Sequence, residues 1–207
     1  MNRLEGRVAI VSGGASGLGR ASAIRMAEEG ARVVVADIDS ELGLQTCSDI
    51  GAGGGMAIFQ ALDVTDEEQW RSCVDCAVST YGGLNILVNN AGIAVGGSIL
   101  TMSLEDWQRQ QAINLDGVFL GIKHGIPAMI DSGSGSVINI SSVAGIKGAA
   151  SLAAYNATKG GVRLLTKGVA KECAANRWPV RVNSVHPGII ETPIWDKMNP
   201  ELLESGI

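Results

Sequence analysis

Six short runs rich in Val and Ile, at residues 7–12, 32–37, 56–62, 84–89, 136–141 and 180–186, alternate along the chain with longer segments of helical period. Most of these runs are nearly continuous in apolar residues, whereas a strand with one wet face alternates apolar with polar. They are therefore predicted to be strands buried on both sides, as in a parallel sheet covered by helices. That pattern specifies an α/β fold built on a doubly wound parallel sheet. With 207 residues, 46% hydrophobic and 18% charged, the chain can close one such core as a single domain over residues 1–207, and disorder is excluded over most of its length.

The helical segments carry their own boundary signals. Thr65 and Glu68 form a possible capping box ahead of one apolar stripe, Trp70, Cys73, Val74, Ala77, Val78 and Tyr81. Ser103 with Asp106 opens another candidate helix, and Gly30, Gly82 and Gly133 follow helical stretches where a left-handed residue would end them. Residues 51–55 and 132–136 read as turns. The 28 glycines have no Gly-X-Y period, so they serve local backbone geometry.

Charge and cysteine usage exclude several function classes. With 21 Asp and Glu against 16 Lys and Arg, a net charge of -5, no basic stripe is available for nucleic acid or an anionic membrane. The first apolar run, residues 8–11, is far too short for a signal-peptide core or a membrane span, which leads to the expectation of a cytoplasmic protein. Cys73 and Cys76 have Cys-x-x-Cys spacing but sit in a helical pattern without a second pair or a nearby histidine. They read as ordinary reduced helix cysteines, and no metal site is expected.

The first predicted strand runs into Ser12-Gly13-Gly14-Ala15-Ser16-Gly17-Leu18-Gly19, and a helix follows. Glycines there permit a tight turn and let backbone N–H groups approach a pyrophosphate, and the helix N-terminus presents unpaired donors and a positive dipole end. The spacing is Gly-x3-Gly-x-Gly, which is not the strict dinucleotide fingerprint, and no Gly-Lys-Ser/Thr follows. A glycine cluster alone is weak support. The second strand, however, ends at Asp37, twenty positions after Gly17, where a carboxylate can accept hydrogen bonds from an adenosine ribose; the plainer reading is a solvated Asp at a strand end. That carboxylate would repel a 2′-phosphate and Ser16 offers no positive charge to offset it, so NAD is expected in preference to NADP.

Tyr155 and Lys159 lie four apart in a helical segment, residues 153–173, so their side chains share one face. A phenol titrating near 10 is a poor acid–base group at neutral pH, and a nearby ammonium, helped by an oxidised nicotinamide, would lower it toward the working range. Ser12-Gly13-x3-Gly17-x-Gly19, Asn89-Asn90-Ala91-Gly92, Ser142 thirteen before Tyr155, Tyr155-x3-Lys159 and Pro187-Gly188 then occur in that order over almost the whole chain. This set resembles the short-chain dehydrogenases/reductases. Residues 154–163 and 181–188 look most like the NAD-dependent hydroxysteroid and cyclic secondary-alcohol dehydrogenases within it.

The resemblance implies a Rossmann-like sheet of strand order 3-2-1-4-5-6 and a site in which Tyr155 is the general acid–base. Lys159 would lower its pKa and hold the nicotinamide ribose, Ser142 would hydrogen-bond the substrate oxygen, and Asn114 would anchor a relay water. Ser141 is the rival serine; its spacing suits a hydroxyl that ends a strand. The cofactor would lie along Gly13, Ser16, Gly17, Leu18 and Gly19, then Asp37 and Ile38, Asp63 and Val64 at the adenine, Asn90, Ala91 and Gly92, and Pro187, Gly188, Ile189 and Thr192 near the carboxamide. Asn89 and Asn90 could equally bond local backbone at a strand end. His124 reads as a helix-surface residue and His186 as a strand-end residue, since no spacing supports a triad. An apolar pocket of Ile93, Ala94, Ala144, Ile146, Leu152 and Trp195 would take an uncharged steroidal or alicyclic secondary alcohol or its ketone, with a 3-oxoacyl thioester as the alternative substrate.

The family pattern continues some tens of residues beyond Thr192-Pro193, through a substrate lid and a last strand. The expectation from the resemblance is therefore that both are missing here, which leaves a catalytically impaired nucleotide-binding or scaffold protein as the alternative to a working dehydrogenase. Residues 104–129 and 154–173 supply helical faces through which the family forms homodimers or homotetramers.

Overall fold

Six strands pair in parallel throughout, in the order β3-β2-β1-β4-β5-β6, in a computed structural model that describes residues 2–194. They are β1 (Val8–Ser12), β2 (Arg32–Asp37), β3 (Met56–Ala61), β4 (Ile86–Asn89), β5 (Gly135–Ile140) and β6 (Val180–Val185). The Rossmann-like order and the strand positions are those expected, with ends shifted by no more than two residues.

Successive side chains in a strand face opposite sides, so one apolar run feeds two cores. Ile10, Val34 and Leu87 join Trp70, Val118, Met129 and Val162 on one face. Ala9, Val11, Val33, Val35 and Val88 join Ala23, Ala27 and Ile50 on the other. The outer strands depart from two-sided burial. In β6, Val180 and Val182 are buried while Arg181 and Asn183 are exposed, and Met56 opens β3 exposed. Each is an edge of the described sheet, where neighbours cover less of the strand.

The helices are α1 (Gly17–Glu28), α2 (Ser40–Ala52), α3 (Glu67–Tyr81), α4 (Leu104–Gln111), α5 (Gly117–Asp131) and α6 (Ala153–Ala175). A π-helical turn, Ala112–Asp116, joins α4 to α5 without a loop. The α3 cap corrects the expected box. Asp66, not Thr65, accepts from the Glu68 and Gln69 N–H groups at 2.8 and 3.0 Å, because Thr65 turns its hydroxyl to Asp63 Oδ1 at 2.8 Å. Ser103 caps α4 through the Asp106 N–H at 3.0 Å, as expected. Gly30, Gly82 and Gly133 adopt φ of 93, 88 and 73°, the conformation their helix-ending role required. Cys73 is buried and its thiol pushed up to about 12 by that burial, the setting of an inert packing residue. No helix among the described residues is long and apolar enough to cross a membrane.

Where α5 crosses the sheet its contact residue is Gly121. A Cβ there would stand inside contact distance of Asn89 Oδ1 and 2.9 to 3.0 Å from the Trp70 ring. Gly121→Ala is therefore expected to lose about 1–3 kcal/mol in urea unfolding through overpacking. Gly168→Ala, in an exposed turn of α6 with nothing near the added methyl, is expected to gain about 0.5–1 kcal/mol.

Candidate active site

The site forms at the carboxyl ends of the central strands, where the backbone leaves the ladder and must find other partners. Ser12, at the end of β1, is buried, and its hydroxyl accepts from the Asn90 and Ala91 N–H groups at 3.0 and 3.2 Å. Asn90 Nδ2 donates in return to the Ser12 and Gly13 carbonyls at 3.0 and 3.1 Å. The glycine loop is thus tied to the end of β4. Gly13, at φ 64°, could not carry a Cβ, which would lie 2.8 Å from Asn90 Nδ2 and 2.9 Å from Ala91 Cα. A Cβ on Gly19 would collide with the Gly13 carbonyl. Gly14 was not singled out in the sequence, yet its Cβ would meet the Val11 carbonyl at 2.9 Å.

These contacts give the glycines a first duty inside the protein and leave α1 opening at the loop. Ser16 is its N-cap and makes no side-chain capping bond. The first-turn N–H groups and the positive end of the dipole are therefore presented toward the loop, as a pyrophosphate needs. Gly17, at φ 50°, sits against Thr192, whose side chain would be 3.3 Å from an added Cβ; Leu18 follows, half-buried, in the same turn. The residues present fit a dinucleotide.

Asp37 closes the loop from β2. Its Oδ2 accepts from the Ala15 N–H at 2.9 Å and its Oδ1 from the Asp39 N–H at 3.1 Å, so it is a half-buried carboxylate beside the loop, with Ile38 exposed beyond it. Asp63 and Val64 have local work. Asp63 Oδ1 accepts from Thr65 N at 2.9 Å, and Val64 is buried in the core with its carbonyl accepting from Trp70 Nε1 at 3.0 Å.

Tyr155 and Lys159 project from one face of α6, with Nζ 5.6 Å from the ring centroid. Lys159 Nζ donates to the Ile140 carbonyl at 2.8 Å, and Ser141 Oγ donates to the Lys159 carbonyl at 2.8 Å. The end of β5 thereby grips Lys159 at both its head and its backbone, which gives Ser141 a strand-end role. Asn114 lies in the π-helical turn, fully buried; its Oδ1 accepts from Ile93 N at 2.8 Å and its Nδ2 donates to Ile93 O at 2.9 Å and to Thr158 Oγ1 at 3.2 Å. Gly92 fills the space between: a Cβ on it would lie 3.1 Å from Asn114 Oδ1 and 3.5 Å from Lys159 Nζ.

Burial dominates the electrostatics. It pushes the Lys159 ammonium down to about 8 from its usual 10.5. It also pushes the Tyr155 phenol above its usual 10, against a hydrogen bond from Ser142 that lowers it. The net direction for Tyr155 is upward, set by burial. The phenol lies in an apolar cluster with Ala94 and Leu152, packed by Ala144, Ala149 and Ile194, and loss of water there outweighs the Ser142 hydrogen bond.

Around this centre Ile146 is exposed rather than lining the cluster, and Trp195 lies outside the described residues. Pro187 O accepts from Val143 N at 3.0 Å, Gly188 has open space where a Cβ would stand, and Ile189 is exposed. His186 does more than end a strand. Its Nδ1 donates to the Ser142 carbonyl at 3.1 Å, so its Nε2 accepts from Ser184 Oγ at 2.9 Å. The signal in the sequence was its place directly before Pro187, which has no N–H to extend the ladder. His124 lies on the α5 surface, 3.0 Å from Glu67.

The model of the short chain dehydrogenase family matches residues 7–203. The chain belongs to the short-chain dehydrogenases. Over 203 residues it is 45% identical to a 2,5-dichloro-2,5-cyclohexadiene-1,4-diol dehydrogenase of Sphingobium indicum, covering 98% of this chain and 80% of that protein. It is 43% identical to an NADP-dependent (R)-specific alcohol dehydrogenase of Lentilactobacillus kefiri, over 95% of this chain and 78% of the relative. It is also 43% identical to a 3-alpha-(or 20-beta)-hydroxysteroid dehydrogenase of Mycobacterium bovis, over 99% and 77%. As a short-chain dehydrogenase the protein is an oxidoreductase acting on CH–OH groups with NAD(P).

A cation whose pKa is lower folded than unfolded binds fewer protons in the native state between the two values, so stability contributed by that site rises with pH there. For Lys159 the window runs from about 8 to 10.5. The unfolding free energy of the parent, measured against Lys159→Met, is expected to rise by about 3 kcal/mol across it.

Proposed function

We propose that this short-chain dehydrogenase interconverts an uncharged secondary alcohol, alicyclic or steroidal, and its ketone with NAD(H). The observation that carries the reading is a chain of four buried polar residues: Asn114 and Lys159 meet at Gly92, Lys159 Nζ lies 5.6 Å from the Tyr155 ring, and Tyr155, hydrogen-bonded to Ser142, shares an apolar cluster with Ala94 and Leu152. The cofactor, when bound, accepts or supplies the hydride. Tyr155 takes the hydroxyl proton during oxidation and returns it during reduction, and the Ser142 hydroxyl holds the substrate oxygen as charge develops. Lys159 supports the phenolate form. The positive charge of oxidised nicotinamide, added to that ammonium, opposes the burial that raises Tyr155. Asn114, braced by Ile93 and Thr158, anchors a relay water.

The apolar residues around Tyr155, Ala94, Leu152, Ala144 and Ile194, favour an uncharged ring. The cyclic diol and hydroxysteroid named for two relatives are of that kind. The exposed side chains of Leu104 on α4, Phe119 on α5 and Leu164 on α6 support a homodimer or homotetramer through paired helices. The preference for NAD rests on Asp37. A relative named as NADP-dependent shows that family membership alone leaves the choice open, and a carboxylate beside the ribose site repels a 2′-phosphate.

Two measurements test this. With a panel of cyclic and steroidal alcohols followed by NADH absorbance, the parent is expected to turn over and Tyr155→Phe to lose about 10²-fold to 10⁴-fold in kcat while still binding NADH. A parent that binds NADH but turns over no alcohol would sink the reading. In titrations with both cofactors the parent is expected to prefer NAD and Asp37→Ala to lose most of that preference. A parent that binds NADP more tightly overturns the cofactor assignment.

A further inference from the structure

Gln110 is a polar residue with no exposed surface, four positions before Asn114. Its Oε1 accepts from Val95 N at 3.1 Å and its Nε2 donates to Val95 O at 3.4 Å. Asn114 holds Ile93 in the same two-bonded way, at 2.8 and 2.9 Å. The spacing explains the match. Gln110 in the last turn of α4 and Asn114 in the π-helical turn that continues it lie about one turn apart, while the residues they hold lie two apart. Two side-chain amides on one helix face can therefore serve alternate residues of a segment running the other way, replacing the strand neighbour that residues 93–95 lack.

Ala94 sits between the two clamped residues. It is buried and belongs to one apolar cluster with Leu152 and Tyr155. Asn114 alone fixes only one side of Ala94. An apolar residue at position 110 would leave the half-buried Val95 N–H and C=O without these partners, and unpaired backbone groups seek others by moving. We propose that Gln110 is a positioning residue that, together with Asn114, clamps residues 93–95 and so sets where Ala94 holds the Tyr155 ring. This rests on Tyr155 being the acid–base group of the reaction.

Three readouts test it, with Gln110→Met as the variant because it conserves volume while removing both amide partners. In the parent, the Val95 amide is expected to exchange with deuterium as slowly as the Ile93 amide, although the segment belongs to no helix or strand. Exchange at the rate of an exposed loop would overturn the clamp and needs no variant. Because the chain has 2 Tyr, a Tyr81→Phe background isolates the ultraviolet titration of Tyr155. Adding Gln110→Met is expected to bring that titration down toward 10, as the loosened wall admits water; an unmoved titration counts against the proposal.

In turnover, Gln110→Met is expected to lower kcat for an alicyclic alcohol by about tenfold or more while the NADH dissociation constant stays within about twofold. A variant that only melts earlier, with kcat unchanged, makes Gln110 a packing residue and overturns the positioning role. If the parent turns over no secondary alcohol, the acid–base reading fails by itself, and exchange and titration still decide the clamp.

Discussion

A parallel sheet covered on both faces satisfies its backbone along the strands and nowhere else. At the carboxyl ends of β1, β4 and β5 the ladder stops inside the protein, and every N–H and C=O there needs a partner supplied by a side chain or a helix. Ser12 and Asn90 answer this between β1 and β4, and Lys159 at the end of β5, where its ammonium takes the Ile140 carbonyl. The polar groups that finish the sheet are the ones that build the site. Chemistry and fold therefore draw on one hydrogen-bond set, which is why so many of these residues are buried and so few face water.

The central strands were legible because their apolar runs carry no alternation, and two-sided burial is the only use for such a run in a chain of this size. The places of β3 and β6 at the two ends of the sheet came from the strand order that the resemblance implied, but their one-sided wetting was not legible. Their one-sided wetting depends on which helices end up beside them, and that is tertiary information. The cap of α3 was missed by one residue for a local reason: Thr65 and Asp66 are adjacent capping types, and only the pull of Asp63 on the Thr65 hydroxyl decides between them.

Within the site, residue types and spacing pointed to Tyr155 and Lys159 on one helical face, and the resemblance supplied Ser142 and Asn114. What the sequence did not carry was environment. The direction of the Tyr155 shift depends on Ala94 and Leu152, more than fifty and only three residues away respectively in the chain. Gln110 and His186 escaped for the same reason, since each acts on a backbone group whose position follows from the fold. Gln110 gave one faint signal, a polar side chain one helical turn from Asn114. It is indistinguishable in sequence from exposed Gln108 and half-buried Gln111.

Burying Lys159 works against the stability of the empty protein at neutral pH. An ammonium with one carbonyl partner is poorly compensated away from water, and its lowered pKa of about 8 expresses that deficit. A site optimised only for folding would carry Met there. Under the proposed reaction the deficit is relieved when Tyr155 carries a phenolate on the same helical face. Each buried group would then be the remedy for the other: burial holds the phenol above 10 and the ammonium down at about 8. Ionising Tyr155 creates that counter-charge, and the interaction is strongest in the dry surroundings that made both groups unfavourable to begin with.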